Sequence, residues 1–169
     1  TDVYEAIRHV SRLLPIDSQR VSIRGFSMGG AGCWHLAVHD PGSWFAANPG
    51  AGFVDTIEYQ GWDKNGPPYT LDQTRLRLMR WYDVVPWTRN LTNTQTIAYS
   101  GELDKQKKAA DQVFAASKKI GLQWPYVIGK GMGHKIDPDS ATKIDAKLKD
   151  WADREIDLPR KEIDFTTYT

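Results

Sequence analysis

The sequence predicts an α/β fold, in which helices cover both faces of a mostly parallel sheet. Short apolar runs typical of buried strands alternate with segments whose apolar residues recur at helical spacing. Glycine-rich or polar loops separate these segments, as expected where strands and helices connect. The chain has 169 residues, of which 40% are hydrophobic, and this is enough for one sizeable core.

The first half of the chain predicts two helices and two strands. The elements, in order, are a helix from Asp2 to Leu14, a strand from Arg20 to Phe26, a helix to about His39, and a strand from Trp44 to Asn48. One apolar stripe marks the first helix: Val3, Ile7, Val10 and Leu14. Turn residues close the other segments, with Asp40-Pro41-Gly42 after the second helix and Pro49-Gly50 after the second strand.

Strands and helices also alternate in the second half of the chain. The pattern predicts strands at Gln95 to Ser100 and Pro125 to Ile128, and helices at Lys105 to Ile120 and Ser140 to Trp151. The final residues, 161–169, alternate between apolar and polar side chains as a strand does.

Between these halves, residues 51–93 form an excursion from the regular pattern. Glycines and prolines interrupt it, although Leu71 to Tyr82 has helix-like apolar spacing. It is rich in aromatic residues: Tyr59, Trp62, Tyr69, Trp81, Tyr82 and Trp87. These side chains either line a substrate pocket or pack the excursion onto the domain, and packing is the favoured interpretation because aromatic side chains dominate burial.

The segment Gly25-Phe26-Ser27-Met28-Gly29 joins the second predicted element to the third. A serine in such a strand-turn-helix segment lies at the tip of a strained bend, and Gly25 and Gly29 are expected to be small because strand and helix pass close together. The N–H of Met28 would then form half of an oxyanion hole. Taken alone, the pattern equally fits a glycine-rich turn that only packs tightly.

Two later loops favour the interpretation of Ser27 as a nucleophile. Asp104 follows the strand at Gln95 to Ser100, and His134 follows the next strand in a glycine-rich loop. The carboxyl ends of parallel strands meet at one edge of a sheet, so Ser27, Asp104 and His134 are expected to form a catalytic triad. His134 would take the serine proton, and Asp104 would orient the imidazole.

Each of these residues also has a simpler interpretation. Asp104 at a loop-to-helix junction can be only a helix cap, and His134 can be an ordinary loop histidine. Glu102 is the alternative acid. The remaining histidines, His9, His35 and His39, lie on helices and are interpreted as structural or exposed.

The composition of the chain limits the kinds of partner that can be expected. The net charge of +1 gives no reason to expect nucleic acid or an anionic membrane. No apolar run approaches the roughly 18 residues of a membrane span, and no residue group has metal-ligand spacing. Cys33 is the only cysteine, so no internal disulfide can form; it is expected to be a small buried residue. No compartment is indicated.

Three segments together resemble an α/β-hydrolase, which has a doubly wound and mostly parallel fold. They are the strand-turn-helix segment at Gly25 to Gly30, the loop Gly101-Glu102-Leu103-Asp104 and the Gly133-His134 pair. The sequence most resembles the prolyl oligopeptidase-like (S9-type) branch, with related dienelactone hydrolase-like and acetyl esterase-like proteins. The resemblance covers roughly Asp2 to Trp151, including a lead-in at Asn90 to Asn93.

This resemblance implies a serine hydrolase that cleaves peptide or ester bonds through an acyl-enzyme, with no cofactor. Ser27 would be the nucleophile, Asp104 the acid, His134 the base and Met28 an oxyanion donor. Peptidase activity is the first expectation. Carboxylesterase activity, of the acetyl or feruloyl esterase type, is the alternative, and a non-catalytic binding domain is a further one.

The sequence differs from the family pattern at its N-terminal end, where family members have further strands and a loop that supplies the second oxyanion donor. Residues 1–158 are therefore expected to be the C-terminal part of a hydrolase domain that lacks its N-terminal strands and does not fold stably alone. The tail at 159–169 is expected to begin a further, β-rich domain. The expected partners are a small ester or peptide substrate and the rest of the same protein.

Overall fold

A computed structural model describes the protein at residues 2–68, 70–154 and 163–167. This part of the chain contains five strands, seven helices and a long 3-10 segment at Val85–Asn93. The strands are β1 (Ser22–Phe26), β2 (Ala46–Gly50), β3 (Gln95–Thr96), β4 (Ala98–Gly101) and β5 (Tyr126–Gly129). The helices are α1 (Asp2–Leu13), α2 (Met28–His39), α3 (Thr56–Tyr59), α4 (Trp62–Asn65), α5 (Gln73–Arg80), α6 (Lys107–Lys119) and α7 (Pro138–Ala152).

The strands form one parallel sheet in the order β1-β2-β4-β5, with β3 also paired to β2. Phe26 pairs with Gly50, and Gly101 pairs with Gly129, so the carboxyl ends of neighbouring strands lie side by side. The loops that follow β1, β4 and β5 therefore leave from the same edge of the sheet. The predicted α/β class is confirmed.

The core lies on both faces of this sheet. Alternate strand residues point to opposite faces, and Ala46 and Ala47 accordingly belong to two different buried clusters. One cluster contains the fully buried Trp34 and Val38 of α2 and Val113 of α6. The other contains Ile144 and Trp151 of α7, packed with Ile97 and Tyr99.

β2 corrects the sequence prediction, because Pro49 and Gly50 lie within the strand rather than ending it. A proline in a central strand normally leaves a neighbouring carbonyl without its N–H partner. The N–H of Ala51 donates to the carbonyl of Tyr99, so the two-residue repeat places Pro49 opposite the carbonyl of Ile97. The side-chain amide of Asn48 donates to that carbonyl at 2.7 Å and replaces the missing bond.

α1 matches its predicted bounds to within one residue, but its apolar stripe is mostly exposed. Val3, Val10 and Leu14 lie open to solvent, whereas Ile7 packs partly against the core. Tyr4, which is not on the predicted stripe, anchors the helix by donating its hydroxyl to Asp40 at 2.6 Å.

The excursion contains three short helices and the 3-10 segment, and helix α5 occupies the stretch where helix-like spacing was seen. The predicted strand at 161–169 is wrong for residues 163–167, which form no strand. Side chains of the 3-10 segment bind their backbone instead. Asn90 exchanges two hydrogen bonds with the backbone of Thr166, and Asn93 donates to the carbonyl of Asp164 at 2.7 Å.

Tyr69, residues 161–162 and residues 168–169 lie outside the described part of the chain. Most of the stretch 159–169 does too, so a further domain that begins there stays a prediction.

Candidate active site

Ser27 occupies the bend between β1 and α2 with φ 56° and ψ −118°. This is a conformation that residues with a side chain rarely adopt, and it costs on the order of 1–3 kcal/mol. Backbone bonds hold it in place, because the N–H of Ser27 donates to the carbonyl of Gly50 at 2.9 Å and its own carbonyl accepts from Ala31 at 3.0 Å. The neighbouring strand and the first turn of α2 thus fix the serine at the edge of the sheet.

The glycines around Ser27 do not all have the role expected from the sequence. A side chain at Gly25 would overlap the carbonyl of Gly29, as predicted. A Cβ at Gly29 itself would meet nothing, so the predicted need for a small residue there is wrong. Gly30 is the second crowded position, because a Cβ there would overlap the carbonyl of Gly50 in β2. The helix approaches β2 as closely as it approaches β1.

His134 connects Ser27 to Asp104. Its Nε2 lies 2.8 Å from the Oγ of Ser27, and its Nδ1 lies 2.8 Å from Oδ2 of Asp104. A carboxylate can only accept, so Nδ1 carries the proton and Nε2 is free to accept from the serine hydroxyl. The three residues are separated by up to 107 positions in the chain and nevertheless form one hydrogen-bonded row.

Asp104 serves two partners with its two oxygens. Oδ2 accepts from His134, and Oδ1 accepts from the N–H of Gln106 at 2.9 Å at the approach to α6. Gln106 is the N-cap residue of α6, so Asp104 turns the chain two residues earlier and is not the helix cap that the sequence allowed. Only 3% of the Asp104 side chain is exposed, compared with 45% of the His134 side chain, so the acid is shielded while the imidazole faces the open site.

Glu102 forms no hydrogen bond or ion pair with His134 among the described residues. Its Oε2 accepts from the backbone N–H of Gly131 at 2.7 Å, in the loop that carries the histidine. Of the two acids weighed from the sequence, the structure brings Asp104 to the imidazole and directs Glu102 to the neighbouring backbone.

Met28 is the first residue of α2, so its N–H has no acceptor within the helix and lies at the positive end of the helix dipole. Met28 as a whole residue is 81% exposed. On the other side of Ser27, the ring of Phe26 lies 5.1 Å from the imidazole of His134. An apolar side chain therefore supports one face of the histidine.

Two of the other histidines have structural partners. His35 and His39, on successive turns of α2, donate to the carbonyls of Tyr82 and Asp83 at 3.1 and 3.3 Å. Burial lowers the pKa of His39, and repulsion from His35 lowers it further. His9 is exposed on α1. Cys33 is buried, as expected, and its thiol donates to the carbonyl of Ile23.

The aromatic residues of the excursion lie in two different surroundings, the core and an open cleft. Trp87 is buried in the core. Tyr59 and Tyr82 both stack on Phe53, at 4.1 and 6.0 Å between ring centres, in a cleft of about 620 Å³ that also includes Leu78 and Met79. The sequence pattern did not single out Phe53. Its signal was its position three residues beyond β2, on the edge that holds Ser27.

In the part of the chain that the structure describes, no group of three or more His, Cys, Asp or Glu side chains is placed to hold a metal ion. None of the described helices is long and apolar enough to cross a membrane.

Comparisons with known proteins identify a family for the sequence and similar folds for the structure. The model of the prolyl oligopeptidase family matches residues 1–158. No curated protein matches the sequence significantly. Among solved structures, the chain is similar to a protein from Bacteroides ovatus ATCC 8483 that is provisionally described as a dipeptidyl aminopeptidase IV, with 15% identity and a TM-score of 0.68.

That match covers 89% of this chain but 21% of the other, so the chain spans about a fifth of that protein's length. At this identity the structural match shows the fold, which is the α/β-hydrolase fold of such peptidases. The family match covers most of the sequence, and the chain therefore belongs to the prolyl oligopeptidase family, a family of serine peptidases.

Proposed function

We propose that the protein is a serine peptidase that cleaves acyl bonds with Ser27 as nucleophile, His134 as general base and Asp104 as the acid that orients the base. The observation that carries this proposal is the continuous row of hydrogen bonds from Ser27 through His134 to Asp104, with 2.8 Å at each step. Family membership supports peptide bonds as the first substrate class.

In the first step, the Oγ of Ser27 attacks the substrate carbonyl while Nε2 of His134 takes the hydroxyl proton. The imidazolium that forms is stabilised by the shielded carboxylate of Asp104, which already accepts from Nδ1. His134 then gives the proton to the leaving amine, and an acyl group remains on Ser27. A water activated by His134 releases the acyl group in the second step.

The negative charge of the tetrahedral intermediate needs donors that are already in place. The N–H of Met28 supplies one, because the bend at Ser27 places it at the start of α2. A second donor would come from a residue other than Ser27, Met28, Asp104 and His134.

Two alternatives remain for the same residues. A carboxylesterase would use the same triad on an ester, and the apolar cleft at Phe53 would suit its acyl or alcohol group. A non-catalytic binding domain would keep the scaffold without turnover, although the complete hydrogen-bonded row argues against this alternative.

Hydrolysis of chromogenic substrates by the full-length protein separates these functions. A peptidase hydrolyses aminoacyl p-nitroanilides, and the Ser27→Ala variant loses at least about 10⁴-fold in kcat. Turnover of p-nitrophenyl acetate without any turnover of the anilides would indicate the esterase. Equal turnover by wild type and Ser27→Ala would reject both enzymes.

A further inference from the structure

The loop that carries His134 needs an external support. It follows β5 and includes Lys130 to Lys135, with Gly131 and Gly133 close to the histidine. Gly131 has φ +67°, a left-handed conformation that marks a tight turn. Ordering an exposed, glycine-rich loop is entropically costly, so the loop holds the imidazole in one place only if contacts from outside the loop fix it.

The acid loop provides such contacts. The N–H of Glu102 donates to the carbonyl of Gly129 at 2.9 Å, and the N–H of Leu103 donates to the carbonyl of Met132 at 2.8 Å. The third contact runs in the opposite direction, because the N–H of Gly131 donates to Oε2 of Glu102 at 2.7 Å. Of these three bonds, only the third involves a side chain and can be removed by substitution.

The third bond is made at Gly131, the residue of the turn with the left-handed conformation. It satisfies an N–H three residues before His134 with a charged acceptor, and charge-assisted bonds are stronger than neutral ones. Glu102 makes no hydrogen bond to Ser27 or His134 among the described residues, and its bond to Gly131 connects it to the loop that carries the base.

We propose that Glu102 is a positioning residue that holds the His134 loop in the geometry where the imidazole reaches both Ser27 and Asp104. The inference rests on the proposed function of the triad. Its role differs from that of a second triad acid, because Glu102 acts by accepting one backbone hydrogen bond rather than by its charge on the imidazole.

Two variants of the full-length protein distinguish these roles. Glu102→Gln keeps a side-chain oxygen that can accept from Gly131, whereas Glu102→Ala removes the acceptor. We expect Glu102→Ala to lower kcat and the rate of labelling by a fluorophosphonate about five- to tenfold with KM changed less than about twofold, and Glu102→Gln to stay within about twofold of wild type. Glu5→Ala, which removes an exposed carboxylate on α1, is the control for net charge.

Hydrogen exchange at the amide of Gly131 gives a readout that does not depend on activity. We expect it to accelerate about tenfold in Glu102→Ala and not in Glu102→Gln. Wild-type labelling rates in Glu102→Ala, or an equal loss in Glu102→Ala and Glu102→Gln, would overturn the positioning role. A wild-type protein that takes no label on Ser27 would overturn the proposed function, while the exchange rate would still show whether Glu102 restrains the loop.

Discussion

At the scale of single residues, the bend at Ser27 depends on two backbone approaches. The strand that precedes the serine and the helix that follows it touch at Gly25, and the helix touches β2 at Gly30. The strained conformation of Ser27 persists because these contacts and the hydrogen bond to Gly50 leave no room to relax.

Gly25 and Gly29 therefore differ in their tolerance of a methyl group. Gly25→Ala forces backbone apart, and we expect it to lower the free energy of unfolding by roughly 3 kcal/mol or more. Gly29→Ala meets open space within a helix, and we expect it to be neutral or to stabilise by up to about 1 kcal/mol. Urea denaturation of the two variants measures this difference. Equal destabilisation would show that the bend is not packed as described.

The sequence predicted which residues meet at the site more reliably than it predicted which residues make room for them. Ser27, Asp104 and His134 follow three strands of a parallel sheet, and topology alone brings such loops to one edge. The need for glycine at position 30 depends on how closely α2 approaches β2, and the position of Phe53 depends on how the excursion packs against the domain. Tertiary packing sets both, and no local sequence pattern encodes it.

At the scale of elements, the outer face of α2 joins the helix to the excursion. Tyr82 stacks on His35 at 4.7 Å between ring centres, and His39 packs edge-on against Trp87 at 4.7 Å. Both histidines also donate to the turn at Tyr82 and Asp83. Tyr82 in turn lines the cleft with Phe53, so this histidine pair supports the wall of the cleft.

This contact predicts a pH dependence of stability. Burial and the neighbouring His35 lower the pKa of His39 in the folded protein, so the unfolded chain takes up a proton first as the pH falls. The free energy of unfolding should therefore decrease below the ordinary histidine pKa of about 6.5 and stop decreasing once the folded protein is also protonated. Asp83 and Asp40 are the acidic residues near this end of α2, and Asp83 directs its own carboxylate to Thr56.

The His39→Gln variant is the matched control, because its amide can still donate to the carbonyl of Asp83. We expect the melting temperature of wild type to fall more than that of His39→Gln between about pH 7.5 and about pH 5.5. Parallel curves for the two proteins would mean that His39 does not titrate differently in the folded and unfolded states.

Element positions were largely predictable, and the exceptions have physical causes. The periodic patterns located α2, α6 and α7 within about two residues, because buried faces repeat at the helical period. β2 continued through Pro49 because Asn48 supplies the lost donor, which is a long-range contact. Residues 163–167 alternate like a strand, but the side chains of Asn90 and Asn93 bind their backbone in place of a neighbouring strand.

At the scale of the whole molecule, the proposed site and the contacts of residues 164 and 166 lie at opposite edges of the sheet. Ser27, Asp104 and His134 lie on loops beyond the carboxyl ends of β1, β4 and β5. The 3-10 segment that binds residues 164 and 166 immediately precedes β3 and so lies near the amino end of its strand. Asp164 and Thr166, which lie beyond the family match, thus contact the molecule at the edge of the sheet opposite to the proposed reaction.

The central claim is that Ser27 is a nucleophile activated by His134. Its most direct test is the reaction of the full-length protein with a fluorophosphonate, with the modified residue located by mass spectrometry and the rate compared with that of His134→Ala. We expect a single adduct on Ser27 and a rate at least about 10³-fold lower in His134→Ala. An unmodified Ser27, or an adduct that forms equally fast without the histidine, would contradict the account.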